Sequence, residues 1–439
     1  MSQLSARRKK STSGKYVAGG CGVLVLLFAV WWMAAEAPPA IRIPMPAMPN
    51  PNAFDTFELA SSQLLEAKKI DTANYTAADA KRAGVAVLTL SDREKLVAEN
   101  APALATLRQG LEQTYCNPAI RSFYARMPYY AKFRGLARFL ALDAGVHLAK
   151  SDYGGAARSS MDAIAMGAQI PHGSTVIGGF VGIACQAIGR KTLWRDVDHL
   201  NADQVRDAVL RMEKIRQNEL PVADILQQEK WAGQAGLMEF FRKKNPGNLF
   251  ALMSTGPQTP QTPAVNSVAS SLFYLVYSKQ RIMNDYTSFM DADIKRAKEP
   301  YRPQHEHTPV GHDPLVEILA PVSEGMVFKS LANRTQNGLL ETTLALRAYK
   351  LAHGAYPATL ADLSPQIMKT QPADPFTAGQ PFRYKRTGTS FILYSVGPDG
   401  TDDGGRPIDA GPGNDPSNIQ RYRVDTGSKG DIVAGKNLW

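Results

Sequence analysis

The stretch Phe391-Ile-Leu-Tyr-Ser-Val-Gly-Pro-Asp-Gly-Thr-Asp-Asp-Gly-Gly405 decides the fold of the C-terminal part of this chain. Its first residues and the upstream run Phe382-Arg-Tyr-Lys-Arg386 each alternate between the two faces of a strand. Because Thr387-Gly-Thr389 separates the two runs, the pattern predicts a β-hairpin. The glycines after Val396 predict a curled loop that brings several aspartates together.

The sequence just upstream of the hairpin predicts a helix that ends at a glycine. Leu344-Ala-Leu-Arg-Ala-Tyr-Lys-Leu-Ala-His-Gly-Ala-Tyr-Pro357 has helical apolar spacing until Gly354. Glycine commonly follows the last residue of a helix, and proline a few residues later prevents its continuation. The C-terminal part therefore combines a helix with a hairpin, which predicts a small α+β domain.

Residues 55–334 carry the apolar spacing of an all-helical domain. Their clearest unit is a helical hairpin, with helices over 133–149 and 156–170 and the turn Lys150-Ser-Asp-Tyr-Gly-Gly155 between them. Alanines on both helices allow a close approach, and the turn resembles that of a tetratricopeptide repeat unit. The predicted fold class is therefore mainly α.

The start of each of three helices can be predicted from its first residues. Ser91-Asp-Arg-Glu94 has the spacing of a capping box. Asn201-Ala-Asp-Gln204 opens another helix. Residues 175–189 are uncharged and too short for a membrane span, so we expect a buried core helix that Ser174 caps.

The N-terminal residues predict a membrane anchor. Residues 1–35 carry only basic charges, and Val23 to Met33 is the centre of an apolar run of ~20 residues, which is enough to cross a bilayer. We expect a cytoplasmic basic tail over 1–15 and a signal anchor over 16–36, in contact with the lipids of the inner membrane, with the remainder outside the cytoplasm. Cleavage of a signal peptide at Ala35-Glu36-Ala37 is the alternative.

The rest of the composition is that of a spacer followed by a soluble ectodomain. Prolines recur over residues 37–54 and predict a stiff, extended spacer. The net charge of +10 is half supplied by the N-terminal tail, which leaves a mixed surface and argues against a nucleic-acid partner. Cys116 and Cys185 lie outside the anchor, and both a disulfide and two buried thiols are compatible with their number.

The C-terminal elements together resemble the C-terminal domain of the type II secretion major pseudopilins. Tyr394-Ser-Val-Gly-Pro-Asp-Gly400, the upstream helix ending at Pro357, and the later Asp431-Ile432 follow the order found in that family. The resemblance covers roughly residues 335–439. The whole chain is also similar to bacterial single-pass membrane proteins that end in this domain.

The resemblance implies a calcium site in the acidic loop, with ligands at Asp399, Asp402, Asp403 and Asp431. Carboxylate and backbone carbonyl oxygens in a flexible loop are the ligands that Ca²⁺ uses. From the residues alone, a solvated turn is the favoured interpretation, because Asp and Gly satisfy turn geometry.

The expected function is that of a non-enzymatic envelope protein. Neither a Gly-x-Ser-x-Gly motif nor a phosphate-binding glycine loop occurs. We expect a membrane-anchored scaffold that binds protein partners, as an accessory to a secretion or pilus-like system. The alternative is an envelope hydrolase, metal-dependent in one form, whose site in the helical domain would include His305, His307 and His312.

Overall fold

A computed structural model describes residues 39–75, 77–242, 278–303, 321–411 and 421–438. These residues are mainly helical and end in one small antiparallel sheet, so the predicted fold class, a mainly α chain with a β-hairpin, is confirmed. The predicted anchor over 16–36 lies outside them. None of the helices within the described ranges combines the length and apolarity that a bilayer span requires.

The helices are α1 (Ala53–Gln63), α2 (Ala67–Ala73), α3 (Ala77–Ala83), α4 (Leu90–Glu99), α5 (Ala101–Leu111), α6 (Tyr129–Ala149), α7 (Tyr153–Gln169), α8 (Val176–Leu193), α9 (Ala202–Gln217), α10 (Val222–Arg242), α11 (Lys279–Arg296) and α12 (Pro321–His353). The strands are β1 (Arg383–Thr387), β2 (Ser390–Ser395) and β3 (Ile432–Val433). Short 3-10 helices occur at Val197–His199, Leu360–Leu363 and Pro375–Thr377.

The described residues fall into two compact units. The larger comprises 44–75, 77–232, 290–303, 321–411 and 421–438, and the smaller comprises 39–43, 233–242 and 278–289. In the smaller unit, Gln234 Nε2 donates to Thr287 Oγ1 at 3.0 Å. A Cβ on Gly233 would stand 1.9 Å from the hydroxyl oxygen of Tyr286, so a larger residue there would displace the Tyr286 ring.

The predicted helical hairpin is present as α6 and α7. Asp152 caps α7, since its carboxylate accepts a hydrogen bond from the Gly155 amide at 2.9 Å. The uncharged run that follows forms α8, which is buried as predicted. A Cβ on Gly182 would lie 2.5 Å from the carbonyl oxygen of Gly167, so α8 crosses α7 at a distance that only glycine permits.

The prediction of a capping box at Ser91 and Glu94 is wrong. The box is formed two residues earlier, where the Thr89 hydroxyl accepts from the Asp92 amide at 3.1 Å and Asp92 accepts from the Thr89 amide at 3.1 Å. Thr89-Leu-Ser-Asp92 has the same spacing as the predicted box, and its use lets the helix begin at Leu90. Ser91 is exposed inside the first turn.

The predicted cap at Ser174 is also wrong, whereas that at Asn201 is confirmed. The Val176 amide donates to the carboxylate of Glu229, at 2.9 Å, in place of a local cap. The Ser174 hydroxyl instead donates to a backbone carbonyl in the preceding turn. Asn201 and Gln204 form a reciprocal capping box at the start of α9.

The C-terminal sheet has the order β1-β2-β3 and is antiparallel throughout. Thr387 pairs with Ser390, so Gly388, at φ +58°, turns the hairpin where the sequence predicts it. The helix α12 ends at His353, and Gly354 follows at φ +79°. Both predictions are confirmed in this part of the chain.

One hydrophobic core joins the helical layer (α7, α8 and α9) to the C-terminal module (residues 354–411 and 421–438). The helix α12 lies between them, and its Leu339, Leu340 and Leu344 are at most 2% exposed. Around them lie Ile164, Val209, Met212, Phe376, Leu393 and Ile432. The domain boundary predicted between residues 334 and 335 therefore falls within a helix and within this core.

Both cysteines of the described residues are free thiols. Cys185 is fully buried on α8, and burial raises the pKa of its thiol to about 12. Cys116 is half-buried, and burial raises the pKa of its thiol as well. Since the thiolate is the reactive form, both thiols should be weak nucleophiles at neutral pH.

Candidate functional site

The predicted aspartates surround one loop, but each has partners of its own. Asp402 Oδ1 accepts from the Tyr394 hydroxyl at 2.9 Å, and Asp402 Oδ2 lies 3.3 Å from Arg383 Nε. Asp403 Oδ1 lies 2.6 Å from Arg406 Nη2. The backbone amide of Gly404 also donates to Asp402, and this hydrogen bond is the main cause that lowers the pKa of the Asp402 carboxyl.

Asp431 binds two backbone amides of the acidic loop. Its carboxylate is fully buried and accepts from the Asp403 amide at 3.3 Å and from the Gly405 amide at 2.7 Å. Burial raises the pKa of Asp431, against the effect of these two amides. Asp399 accepts from the amides of Thr401 at 3.1 Å and Gly430 at 3.4 Å. The loop is thus held by hydrogen bonds to carboxylates.

The residues present do not form a ready set of calcium ligands in this arrangement. Among the described residues, no three side chains of His, Cys, Asp or Glu come together as metal ligands. Asp402 and Asp403 would have to release their arginines before either could bind a cation. Calcium binding by this loop stays a prediction, and His305, His307 and His312 lie outside the described residues.

A fully buried arginine lies between α8 and α12. Arg190, in the last turn of α8, is 1% exposed. It donates to Asn333 Oδ1 at 2.6 Å, to Asn337 Oδ1 at 2.9 Å and to Gln336 Oε1 at 2.8 Å. No carboxylate of the described residues pairs with it, and burial lowers the pKa of its guanidinium to about 9. Neutral oxygens of α12 therefore solvate a buried cation.

These hydrogen bonds continue into the C-terminal module. Gln336 Nε2 donates to the Asn437 carbonyl at 2.9 Å. The Asn437 side chain in turn donates to the carbonyls of Ile408 and Tyr422, each at 3.0 Å. The segment that follows the acidic loop is thereby fixed to α12, and through α12 to Arg190 on α8.

A second group of charges lies where α9, α12 and the module meet. Arg216 Nε lies 3.1 Å and 3.0 Å from the two carboxylate oxygens of Glu341, and Arg216 Nη2 donates to the Thr370 carbonyl at 2.7 Å. Glu341 is 1% exposed, and burial raises its pKa to about 7. Glu213 accepts from the amides of Lys369 and Thr370 at 2.8 Å and 3.1 Å.

A cavity of about 300 Å³ opens beside this group. Its wall includes Arg216, Glu341, Gln186 and Asn337, together with Arg334 and Glu219, which form an ion pair at 3.1 Å. Burial raises the pKa of Glu219 to about 7. Ligand sites in proteins typically occupy ~300–1,000 Å³ and combine apolar walls with a few placed polar groups, and this cavity lies at the small end.

A third polar cluster joins α5, α7 and α9. Asp162 is 3% exposed and accepts from Arg108 Nε at 2.9 Å and from Arg211 Nη2 at 2.6 Å. Asp152 is a helix cap, whereas Asp162 is buried between two arginines. Ser159, beside Asp162, donates to Asp143 at 2.5 Å and is fully buried, so it offers no exposed nucleophile.

Sequence patterns alone did not predict Arg190, Gln186 or the Arg216–Glu341 pair. Two features of the sequence do point to Arg190 and Glu341. Arg190 is the first charge after the uncharged run 175–189, and Glu341 is the single charge between Arg334 and Arg347. A lone charge within an apolar helical stretch is either exposed or paired, and both of these are buried with partners.

Comparison of this chain with protein-family models, with curated proteins and with solved structures finds no match. Function is therefore argued from the fold and from the chemistry of these groups.

Proposed function

We propose that the protein is a non-enzymatic component of the cell envelope that is anchored in the membrane and binds protein partners as a scaffold. It would serve as an accessory to a secretion or pilus-like system, which is the role that the pseudopilin resemblance implies. The observation that carries the proposal is the shared core, in which α12 is enclosed between the helical layer and the C-terminal module.

Because α12 is enclosed by its own chain, it is not available for packing against other subunits in a filament. In pseudopilins the long N-terminal helix directly precedes this domain, and here α12 takes that place. Polar residues of α12 are buried along with its leucines, including Thr335, Gln336 and Thr342, at no more than 5% exposure. A helix covered on several faces by its own chain has no free stripe for packing into a filament.

The outer side of the module is the surface that we assign to partners. It includes the exposed Asp402 and Thr401 of the acidic loop, which is held in one conformation by Asp431 and Asp399. A loop fixed in this way loses little conformational entropy on binding. Bound Ca²⁺, which belongs to the same proposal, would fix the loop further.

The proposal is tested by cross-linking in intact membranes. A photoreactive amino acid replaces Thr401 in the acidic loop, and in a matched variant it replaces Lys95, an exposed residue of α4. We expect position 401 to give a discrete adduct with an envelope protein and position 95 to give none. Equal labelling at both positions, or recovery of the chain outside the membrane fraction, would contradict the scaffold role.

A further inference from the structure

The cavity beside Arg216 is lined by hydrogen-bond donors whose orientation is fixed by Arg190. A guanidinium can only donate, so the side-chain oxygens of Asn333 and Asn337 must face it. The amide nitrogens of these two residues then point the other way and donate to Gln186 Oε1, at 3.0 Å and 2.7 Å. The Gln186 oxygen is thereby committed as an acceptor.

Gln186 consequently offers its nitrogen to the cavity. The side chain lines the cavity and is only 5% exposed, and its Nε2 donates to no acceptor in the described part of the chain. This nitrogen is not one of the fully enclosed side-chain atoms of the described residues, so it can donate to water or to a bound molecule. The orientation cannot be reversed, because a flipped Gln186 amide would direct its nitrogen at two other donors. Gln186 Nε2 is therefore a free donor for an acceptor bound in the cavity.

Charge on the cavity wall favours an acceptor that is also an anion. Arg216 uses Nε for Glu341 and Nη2 for Thr370, which leaves Nη1 without an acceptor among the described residues. Arg334 places a second guanidinium on the same wall. Asn337 connects Gln186 to Arg190, a buried cation that no carboxylate of the described ranges pairs with.

We propose that this cavity binds a small organic carboxylate. Its oxygens accept from Gln186 Nε2 and from the guanidinium of Arg216, and Arg334 contributes charge at the rim. The rest of the molecule lies against Met212, Ile215 and Pro372, the apolar part of the wall. This is a small-molecule site, and it is separate from the protein-binding surface proposed above.

The same wall disfavours a phosphate dianion. Glu341 and Glu219 line the cavity with Arg216 and Arg334, and their carboxylates offset part of the positive charge of the two guanidinium groups. A monoanion suits such a balance better than a dianion does. The apolar wall and the volume of about 300 Å³ also suit a carboxylate that carries a short apolar group.

The test uses N-acetylalanine as the probe and its neutral amide, N-acetylalaninamide, as the matched control. Binding to the full-length chain is measured by isothermal titration calorimetry, with inorganic phosphate as a third titrant. We expect saturable binding of the carboxylate and none of the amide. Equal binding of acid and amide, or binding of phosphate without the carboxylate, would overturn the proposal.

Three variants locate the site. Gln186→Glu keeps the acceptor for Asn333 and Asn337 but replaces the free donor with a carboxylate, so we expect affinity for N-acetylalanine to fall about ten- to a hundredfold. Arg334→Gln, at a side chain that is 52% exposed, tests the site without risk to the core and should weaken binding several-fold. Arg206→Gln, exposed on α9 outside the cavity, should have no effect. Unchanged affinity in both cavity variants would refute the assignment.

Discussion

Single buried charges in this protein are handled in two different ways. Arg190 is enclosed by amide oxygens that solvate it, and it lies in the last turn of α8, where a positive charge is favoured by the helix dipole. Asp196, a few residues later, is also fully buried, yet neither of its carboxylate oxygens has a hydrogen-bond partner in the part of the chain that the structure describes. Burial raises the pKa of Asp196 to about 7.

Asp196 should therefore make stability fall as the pH rises. Its pKa is higher in the folded chain than in the unfolded chain, so its contribution is complete below pH ~4 and is lost as the pH approaches 7. We expect Asp196→Asn to raise the free energy of unfolding at pH 8 by about 1–3 kcal/mol and to leave it unchanged near pH 4. Urea denaturation at several pH values measures the difference.

The control for this prediction is Asp198→Asn, at an exposed carboxylate two residues away. It should change stability by less than about 0.5 kcal/mol at any pH. A destabilising effect of Asp196→Asn at pH 8, or the same pH profile as the unmodified chain, would show that the carboxylate has a partner in solution.

At the scale of elements, the α7–α8 crossing depends on glycines. A Cβ on Gly182 would meet the backbone oxygen of Gly167, an atom that cannot move without moving α7. We expect Gly182→Ala to destabilise the protein by about 1–3 kcal/mol or more. Gly145→Ala, in the interior of α6 with no atom near the added methyl group, should instead stabilise it by about 0.5–1 kcal/mol.

The two glycine variants are compared by the midpoint of urea unfolding at an unchanged slope. Equal effects of the two substitutions would mean that α7 and α8 are not in close contact. This crossing was partly predictable, because four glycines and no charge in a helical stretch indicate tight packing. Which glycine carries the contact was not, since that depends on the angle between two helices.

The acidic loop is the other element with a direct test. If Asp399, Asp402, Asp403 and Asp431 bind Ca²⁺, millimolar Ca²⁺ should raise the melting temperature of the full-length chain, because a ligand that only the folded state binds stabilises that state. At a concentration a hundredfold above Kd, the gain is about 2.7 kcal/mol. The shift should disappear in Asp402→Asn and should not occur with Mg²⁺.

If Ca²⁺ did not change the melting temperature of the folded chain, the loop would not be a calcium site. The loop would then be stabilised only by the ion pairs Arg383–Asp402 and Arg406–Asp403 and by the amides that Asp431 accepts. The sequence correctly indicated that these aspartates share one loop. It gave no sign that Arg383 and Arg406 pair with two of them, because both arginines lie in otherwise unremarkable polar positions.

At the scale of the whole molecule, local patterns were predictable and long-range partners were not. The β-hairpin, the end of α12 at Gly354 and the α6–α7 pair each follow from a few neighbouring residues. The Arg190 contacts join residues more than 140 positions apart in sequence, as Arg190 and Asn333 do. The same limit explains why a boundary was expected at residue 335, where the fold has a continuous helix.

The central claim is that the C-terminal module and the helical layer form one cooperative structure through α12. Native-state hydrogen exchange, resolved to the amides of β2 and α9, tests it most directly. We predict the same opening free energy for both elements, and an equal decrease of about 2–5 kcal/mol in both after Leu340→Ala in α12. The claim would be contradicted if the β2 amides exchanged with a lower opening free energy than the α9 amides and if Leu340→Ala left α9 unaffected.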